Sequence, residues 1–294
     1  MPKTIYINRI NDDASDFASL FGFWEQVNDY FEDVQFDFSN CDFLRPNAVA
    51  FLGGLARLIE SRMGSVVFDW DSLKNNKVMT NLRQNDFAGT FGHHSSGWAG
   101  ESIPYREDAK LDMNGIMDYL TDSWLRRGWV HVSKLLRDAI VGRMWEIYNN
   151  AFEHSGSEIG VFTCGQHFPH TNELVLSVVD FGQGIPAKVR NYLNADPRAE
   201  RLTGAGCLKW AFKPGNSTST EGVAKGLGLD LLREFIRKNQ GKMEVYSNEG
   251  YAIIDKNGER YQNRPISFEG TVVHITLRCD ENLYRFKHED DEPF

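Results

Sequence analysis

One segment constrains the fold of this chain more than any other: residues 144–156, MWEIYNNAFEHSG. Its apolar residues recur at helical spacing, which predicts a helix packed against other structure. The apolar side consists of Met144, Ile147, Tyr148, Ala151 and Phe152. The polar side consists of Glu146, Asn150, Glu153 and His154. Because Glu146 and Asn150 lie one turn apart on the side away from the packed surface, they are candidates for binding or catalysis.

The composition is that of a globular protein with substantial cores: 41% of the 294 residues are hydrophobic and 13% are aromatic. No apolar run approaches the roughly 18 residues of a membrane-spanning helix. The first residues, MPKTIYINRINDDASDF, lack the apolar stretch of a secretory signal. Four scattered cysteines without a C-x-x-C pair are typical of reduced thiols. We therefore expect a cytoplasmic protein without membrane contact.

The formal net charge of −9 disfavours a nucleic-acid partner. Part of this charge lies in residues 286–294, which we expect to form a solvated acidic tail. His167 and His170 form an H-x-x-H, and His93 and His94 are adjacent. Neither pair has clustered carboxylates or cysteines beside it, which disfavours a metal site at these histidines.

Strands and helices alternate in two units, which predicts α/β packing in each. Residues 1–92 contain the predicted strands TIYINRI, VQFDFSN and SVVFDW, with helices between and after them. Residues 93–119 are polar and rich in glycine and serine, which predicts a linker. An ordered connector remains an alternative there, because Trp98 and an IPY segment interrupt the polar stretch. Residues 120–285 form the second unit.

Two further segments of the second unit are strands with candidate binding residues at their ends. Residues 178–186, VVDFGQGIP, form an apolar strand that ends in Asp180. This carboxylate can accept a hydrogen bond from an exocyclic amino group such as that of adenine. Gly182 and Gly184 allow a tight turn and a close approach of the backbone to a ligand. A further strand, residues 269–277, is entered through a glycine and a threonine.

A glycine-rich segment precedes the last predicted helix. Residues 225–228, KGLG, lead directly into an amphipathic helix. Backbone N–H groups at such a helix start, together with a lysine, can bind phosphate. The chain contains neither G-x-x-x-x-G-K-[ST] nor a complete G-x-G-x-x-G. A P-loop and a dinucleotide-binding fold are therefore disfavoured.

Four segments follow one another along the chain: residues 144–156, 178–186, 225–228 and 269–277. In this order they resemble the Bergerat-fold ATPases, the GHKL superfamily of type II topoisomerases, Hsp90 chaperones, histidine kinases and MutL proteins. The resemblance covers about residues 120–280. It implies an α/β sandwich with a mixed sheet and helices on one face. It also implies ATP and Mg²⁺ as ligands.

The resemblance assigns roles to individual residues. Asn150 would bind Mg²⁺ that bridges the phosphates, and Glu146 would be the base that orients water or a substrate hydroxyl. Asp180 would recognise the adenine amino group, with Gly182 and Gly184 shaping that wall of the site.

The remaining roles concern the edges of the site. Thr271 would support the adenine side. A lid over about residues 200–225 would cover the phosphates, which would be held by Lys225, Gly226, Leu227 and Gly228. For Lys225, simple solvation is an alternative interpretation.

The helix motif also indicates a subfamily. Histidine kinases usually have Asn where this chain has Glu146, so the glutamate favours hydrolysis or transfer to a hydroxyl. The sequence EIYNNAFEHS is similar to the E-A-V-x-N-A-I-x-H-G of anti-sigma-factor serine kinases. His154 matches their histidine and is a candidate for the phosphate side, but a structural histidine is an equal alternative. Glu153 matches no role in these families.

The first unit resembles a STAS domain, the fold of anti-sigma-factor antagonists, from VQFDFSN to SVVFDW. Those domains usually carry Asp-Ser-Ser-Gly after the second apolar strand, with a serine that a partner kinase phosphorylates. The aligned residues here are Arg45, Pro46, Asn47 and Ala48. Because no hydroxyl is present, we expect a regulatory or interaction domain that is not phosphorylated at this place.

Two functional hypotheses follow. The first is a Mg²⁺-dependent ATPase or protein serine/threonine kinase that acts on an unidentified protein partner. The second is a nucleotide-gated interaction switch, in which slow hydrolysis only resets the state. A homodimer is also left open, since ATP drives dimerisation in several GHKL families. A sensor histidine kinase is disfavoured, because nothing upstream resembles a dimerising helical hairpin.

Overall fold

The computed structural model describes residues 2–216, 218 and 229–290, without the side chains of His154 and Asp290. Within this part of the chain the strands form two sheets. The strands of the smaller sheet are β1 (Lys3–Tyr6), β2 (Asp33–Asp37) and β3 (Ser65–Asp69). The strands of the larger sheet are β4 (Ser102–Asp108), β5 (Val161–Phe168), β6 (Glu173–Asp180), β7 (Lys242–Ser247), β8 (Gly250–Asp255), β9 (Gly258–Asn263) and β10 (Thr271–Arg278).

Helices connect and cover these sheets. Those before β4 are α1 (Ala14–Val27), α2 (Pro46–Ser61), α3 (Asn76–Gln84) and α4 (Phe87–Thr90). Those after β4 are α5 (Met113–Asp118), α6 (Lys134–His154), α7 (Ile185–Tyr192), α8 (Gly204–Ala211) and α9 (Asp230–Asn239). A π-helical segment, Tyr119–Leu125, continues from α5. Within the described ranges, no helix is both long and apolar enough to cross a bilayer.

The N-terminal unit is built around a parallel sheet in the order β1-β2-β3. Its three strands overlap the three segments predicted from the sequence, and β1 and β2 each begin one residue earlier than predicted. Helix α1 begins at a capping box, in which the Asp13 side chain accepts from backbone N–H groups of the first turn. Helix α2 begins with Pro46, whose missing N–H is not needed at that position. Most residues of α2 are buried, which places this helix between two layers.

The larger sheet has the order β4-β5-β6-β10-β7-β8-β9, and every pair in it is antiparallel. The predicted α/β sandwich is therefore confirmed, but the sheet is antiparallel rather than mixed. The helices of this unit do pack on one face, as expected, and bury residues such as Val178 and Ile275. The other face is covered by the N-terminal unit, whose helix α2 packs on β5 and β6.

The two faces of the larger sheet belong to two separate cores. Val179 and Tyr246 point toward the N-terminal unit and share a core with Phe51 of α2. Their neighbours Val178 and Val245 belong to the core under α6 and α9. Successive strand residues point to opposite faces, so this division follows from the alternation of each strand. The central strands β6 and β10 are therefore buried on both sides.

The expected linker and tail contain ordered elements. Within residues 93–119, strand β4 pairs with β5, and α5 follows it. The IPY segment lies within β4. In the expected acidic tail, Lys287–Asp290 form a 3-10 helix, and Glu289 accepts a 2.9 Å hydrogen bond from Ser133. The connector thus supplies the edge strand of the larger sheet.

Helix α2 approaches the larger sheet closely at a glycine pair. A Cβ added to Gly54 would lie 2.4 Å from the Phe181 ring and 2.7 Å from the Phe162 ring. By contrast, a Cβ added to Gly22 in α1 would meet nothing within 4 Å. The absence of a side chain at Gly54 is therefore a packing requirement.

We expect Gly54→Ala to destabilise the protein by about 1–3 kcal/mol, because the new methyl group overpacks the core. The matched control, Gly22→Ala, should stabilise it by roughly 0.5–1 kcal/mol, because alanine is the better helix former. Urea unfolding of both variants measures the difference. Equal effects of the two substitutions would contradict a tight contact between α2 and the larger sheet.

Candidate functional site

A cleft of about 960 Å³, counting space open to solvent, lies on the helical face of the larger sheet. The sheet forms its floor, and residues of α6, α7 and α8 form its walls. The residues that line it are Ile147, Asn150, Ala151, Ser155, Val178, Asp180, Gly184, Ile185, Lys188, Val189, Trp210, Ala211, Phe212, Asn216, Thr218, Leu229, Met243, Val245, Thr271 and Val273.

Helix α6 supplies one wall of the cleft. Its start is capped by Ser133, whose hydroxyl accepts a 3.1 Å hydrogen bond from the Leu136 N–H. Its fully buried Tyr148 donates to or accepts from Thr163 of β5 at 2.9 Å, which fixes the helix on the sheet. Asn150 is half-buried and lines the cleft two residues further along. Of the predicted polar side of this helix, Asn150 therefore contributes to the cleft.

Glu146 lies one turn before Asn150 and is not among the residues that line the described cleft. Its carboxylate forms an ion pair with Arg143 on the same helix. The side chain of Glu146 is 32% exposed, so solvent reaches it. The structure thus places the two motif residues on the same helix, but only Asn150 in the cleft wall.

Asp180 lies at the end of β6 and is buried. Burial raises the pKa of its carboxyl to about 7, although hydrogen bonds from Gly182 and Thr271 lower the pKa in part. The Gly182 N–H donates to Oδ1 at 3.1 Å. Thr271 lies directly opposite Asp180 on β10. The floor of the cleft therefore holds a carboxyl group whose charge is costly until a further donor reaches it.

The loop after Asp180 is held between two neighbouring segments. A Cβ on Gly182 would lie 2.3 Å from the carbonyl oxygen of Ser155, at the end of α6. Gly184 has a φ of 78°, a region that favours glycine, and a Cβ there would lie 2.4 Å from Asn248. Gly182 is thus required by its close approach to the backbone of Ser155, and Gly184 is required by its positive φ.

Two polar residues at the end of β7 support this loop, and the sequence analysis did not identify them. The Ser247 hydroxyl accepts from the Ile185 N–H at 2.8 Å and donates to the Gly270 carbonyl at 2.9 Å. It also lies 3.0 Å from the Thr271 hydroxyl. Asn248 donates to the Gln183 carbonyl at 3.0 Å. In the sequence they stand as a Ser-Asn pair at the end of the predicted strand KMEVYSN.

The outer wall of the cleft also contains residues that the sequence did not indicate. Trp210 and Phe212 lie at the end of α8, within the region expected to form a lid. Asn216 and Thr218 line the cleft beyond them. Lys188 of α7 lines the opposite side, and burial lowers its pKa. No spacing or motif marks these residues, because they meet only through tertiary packing.

The predicted site residues thus have different outcomes. The structure brings together Asn150, Asp180, Gly184 and Thr271 as lining residues. Gly182 adjoins them through its hydrogen bond to Asp180. Outside the described residues lie Lys225, Gly226, Leu227, Gly228 and the side chain of His154.

The donor set is compatible with a magnesium nucleotide. Within the described ranges, no three His, Cys, Asp or Glu side chains form a group that could hold a metal ion. Magnesium does not require such a group, since it commonly takes few protein oxygens together with phosphates and water. Asn150 lines the cleft, and its carboxamide oxygen is of the type that could serve as such a ligand.

Comparison with known families agrees with this geometry. Residues 137–281, just under half of the chain, match the sequence model of the histidine kinase-, DNA gyrase B-, and HSP90-like ATPases. The match supports the assignment of this region to the GHKL superfamily, and with it ATP binding and ATPase- or kinase-type activity in general. A search of curated proteins gives no match.

Asp180→Asn should stabilise the ligand-free protein at pH 8 by roughly 2 kcal/mol, because it removes a buried charge. The raised pKa means that the folded protein keeps a proton that the unfolded chain loses. The contribution of Asp180 to the free energy of unfolding of the wild type is therefore fully present at low pH and is lost as the pH rises toward about 7. Urea unfolding at pH 5 and pH 8 measures this. A gain at pH 5 as large as that at pH 8 would contradict it.

Proposed function

We propose that this protein is a Mg²⁺-dependent ATP-binding protein that hydrolyses ATP or transfers its γ-phosphate to a protein hydroxyl. One observation carries the proposal: a buried carboxyl, Asp180, and a carboxamide, Asn150, line the same cleft of a GHKL-type sandwich. Asp180 suits the amino group of adenine, and Asn150 suits a magnesium ion on the phosphates. ATP and Mg²⁺ are the ligands implied.

At the adenine end, the ionised Asp180 would accept a hydrogen bond from the exocyclic amino group. That donor would offset part of the cost of burying the charge. Thr271 and Ser247 hold the carboxylate and the loop beside it in place. The apolar lining, including Val178 and Val245, suits the faces of a purine ring.

At the phosphate end, Asn150 would hold Mg²⁺, which supplies charge stabilisation on the phosphates when bound. Glu146 would act as the base one turn away. It would accept the proton of the water or hydroxyl whose oxygen attacks the γ-phosphorus, as the bond to ADP breaks. The Glu146 carboxylate pairs with Arg143 on the same helix.

Glu146→Gln should retain ATP binding but lose at least about 100-fold in turnover, the usual contribution of a general base. Asp138→Asn is a matched control on the same helix, because Asp138 is exposed and pairs with Lys134 away from the cleft. Steady-state phosphate release measures turnover, and isothermal titration measures binding. Unchanged turnover in the Glu146 variant would remove that residue from the base role.

Adenine-nucleotide affinity should rise severalfold between pH 6 and pH 8, because binding requires the ionised form of a group whose pKa is about 7. Asp180→Asn should weaken binding and abolish this pH dependence. Titration with ADP in buffers of different ionisation enthalpy also measures the proton released on binding. Wild-type affinity in the Asp180 variant would contradict the adenine assignment.

The alternative is a nucleotide-gated interaction switch with little turnover. It is favoured by the position of Glu146 outside the described cleft lining and by Asn216 and Thr218, which line the cleft from the expected lid. In that case ATP would change a protein surface through the lid. Negligible phosphate release together with tight ATP binding would select this function over catalysis.

The N-terminal unit would act as a STAS-like domain that recruits or regulates a protein partner. Arg45 and Asn47, which stand where such domains carry their phosphorylated motif, support a structural rather than a phosphoacceptor role. Arg45 pairs with Glu173 of the larger sheet at 2.9 Å, and Asn47 is fully buried. A cytoplasmic location and ATP-driven homodimerisation complete the proposal, and sedimentation with and without ATP tests the latter.

A further inference from the structure

A row of polar side chains crosses the contact between the N-terminal unit and the larger sheet. We call Asp12, His274 and Ser177 the buried polar row. The His274 Nε2 lies 3.2 Å from Asp12 Oδ2, and its Nδ1 lies 2.8 Å from the Ser177 hydroxyl. His274 and Ser177 are fully buried. Asp12 comes from the loop before α1, so the row joins the two units.

The row is satisfied at both ring nitrogens. With a proton on Nε2 the imidazole donates to Asp12, and its Nδ1 is within hydrogen-bond distance of the Ser177 hydroxyl. Burial raises the pKa of Asp12, but His274, Lys242 and Arg45 together hold it well below its usual range. The Asp12 carboxylate is 3.0 Å from Arg45 and 3.8 Å from Lys242. Asp12 therefore stays ionised and accepts hydrogen bonds from both units.

The residue types match those of a hydrolase triad, but the geometry excludes that role. A nucleophilic serine needs access to a substrate, whereas the Ser177 side chain is completely enclosed. The described cleft lies on the other face of the sheet, since Val178 lines it and Ser177 does not. Any effect of the buried polar row on the cleft must therefore be transmitted through strands β6 and β10, which carry Ser177 and His274.

These strands are the two that form the floor of the cleft. His274 on β10 is directly opposite Ser177 on β6. Three residues away along each strand lie Thr271 and Asp180, again directly opposite each other. Because strand residues alternate between faces, one strand pair carries the row on its back and the cleft floor on its front.

We infer that His274 and Asp12 are positioning residues, which hold the β6–β10 pair in the geometry of the nucleotide cleft and thereby couple the N-terminal unit to nucleotide binding. This inference rests on the proposed function. The coupling is reciprocal: docking of the N-terminal loop favours the binding geometry, and bound nucleotide favours docking of the loop.

The structure offers a control contact between the same two units. Arg57 of α2 forms two 3.0 Å hydrogen bonds to Glu107 of β4. No residue of β4 lines the cleft in the described part of the chain. Loss of this contact should therefore reduce stability without reaching the nucleotide.

The test compares ATP affinity in variants of the two contacts. His274→Leu and Asp12→Ala should bind ATP about three- to tenfold more weakly, a typical size for coupling between sites. His274→Gln and Asp12→Asn keep a hydrogen-bonding group and should stay within about twofold of wild type. Glu107→Gln should leave affinity unchanged while lowering the urea midpoint. Asp12→Ala keeps the test decisive if His274→Leu does not fold, because Asp12 lies in a loop.

A second measurement does not depend on nucleotide. In the ligand-free protein, hydrogen exchange at residues 178–182 and 270–273 should be faster in Asp12→Ala than in Glu107→Gln at equal global stability. Failure of the wild type to bind ATP would overturn the proposed function, and equal exchange in the two variants would overturn the positioning role. Wild-type ATP affinity in both Asp12→Ala and His274→Leu would also overturn it.

Discussion

The pairing of β6 with β10, at the centre of a sheet that is covered on both faces, is the constraint on which the rest of the structure depends. This pair places Asp180 opposite Thr271 and Ser177 opposite His274. A shift of the register by one residue would exchange the two faces of each strand. The cleft and the contact with the N-terminal unit would then be lost together.

The candidate site combines this rigid floor with groups that carry an energetic cost. The Asp180 carboxyl is buried where its charge lacks full compensation, and the next loop contains a glycine at positive φ. Proteins tolerate such features where the surrounding structure fixes them. Here Ser247 and Asn248 fix the loop from β7. The cost is therefore localised at the place where a ligand would offset it.

The sequence predicted the parts of the molecule that local patterns encode. Asp180, Gly184 and Asn150 were identified because each lies in a short segment whose spacing limits the local backbone. The sequence predicts a linker where strand β4 lies, because the surrounding residues are polar and rich in glycine and serine. The pairing of β4 with β5 is a tertiary contact, which the local sequence does not encode.

The limits of prediction have the same physical origin elsewhere. His274 gave no signal, because Asp12 lies 262 positions away in the chain and meets it only in the fold. Trp210 and Lys188 line the cleft from helices without a recognisable motif. The sequence motif placed Glu146 with Asn150, but it did not determine which of the two faces the cleft. Contacts between distant segments decide these points.

The tight fit of α2 against the larger sheet has a consequence for biosynthesis. The N-terminal unit leaves the ribosome before the sheet that it covers in the folded protein. Its apolar side is therefore exposed to solvent until β5 and β6 have been synthesised. Phe51 and Leu55 of α2 would be exposed during this interval, whereas they are fully buried in the finished protein. Conversely, a fragment that begins after α2 would leave Phe162 and Val179 uncovered, which favours aggregation. Each unit therefore depends on the other for stable folding. A destabilising substitution in either unit should lower the cellular amount of the whole protein.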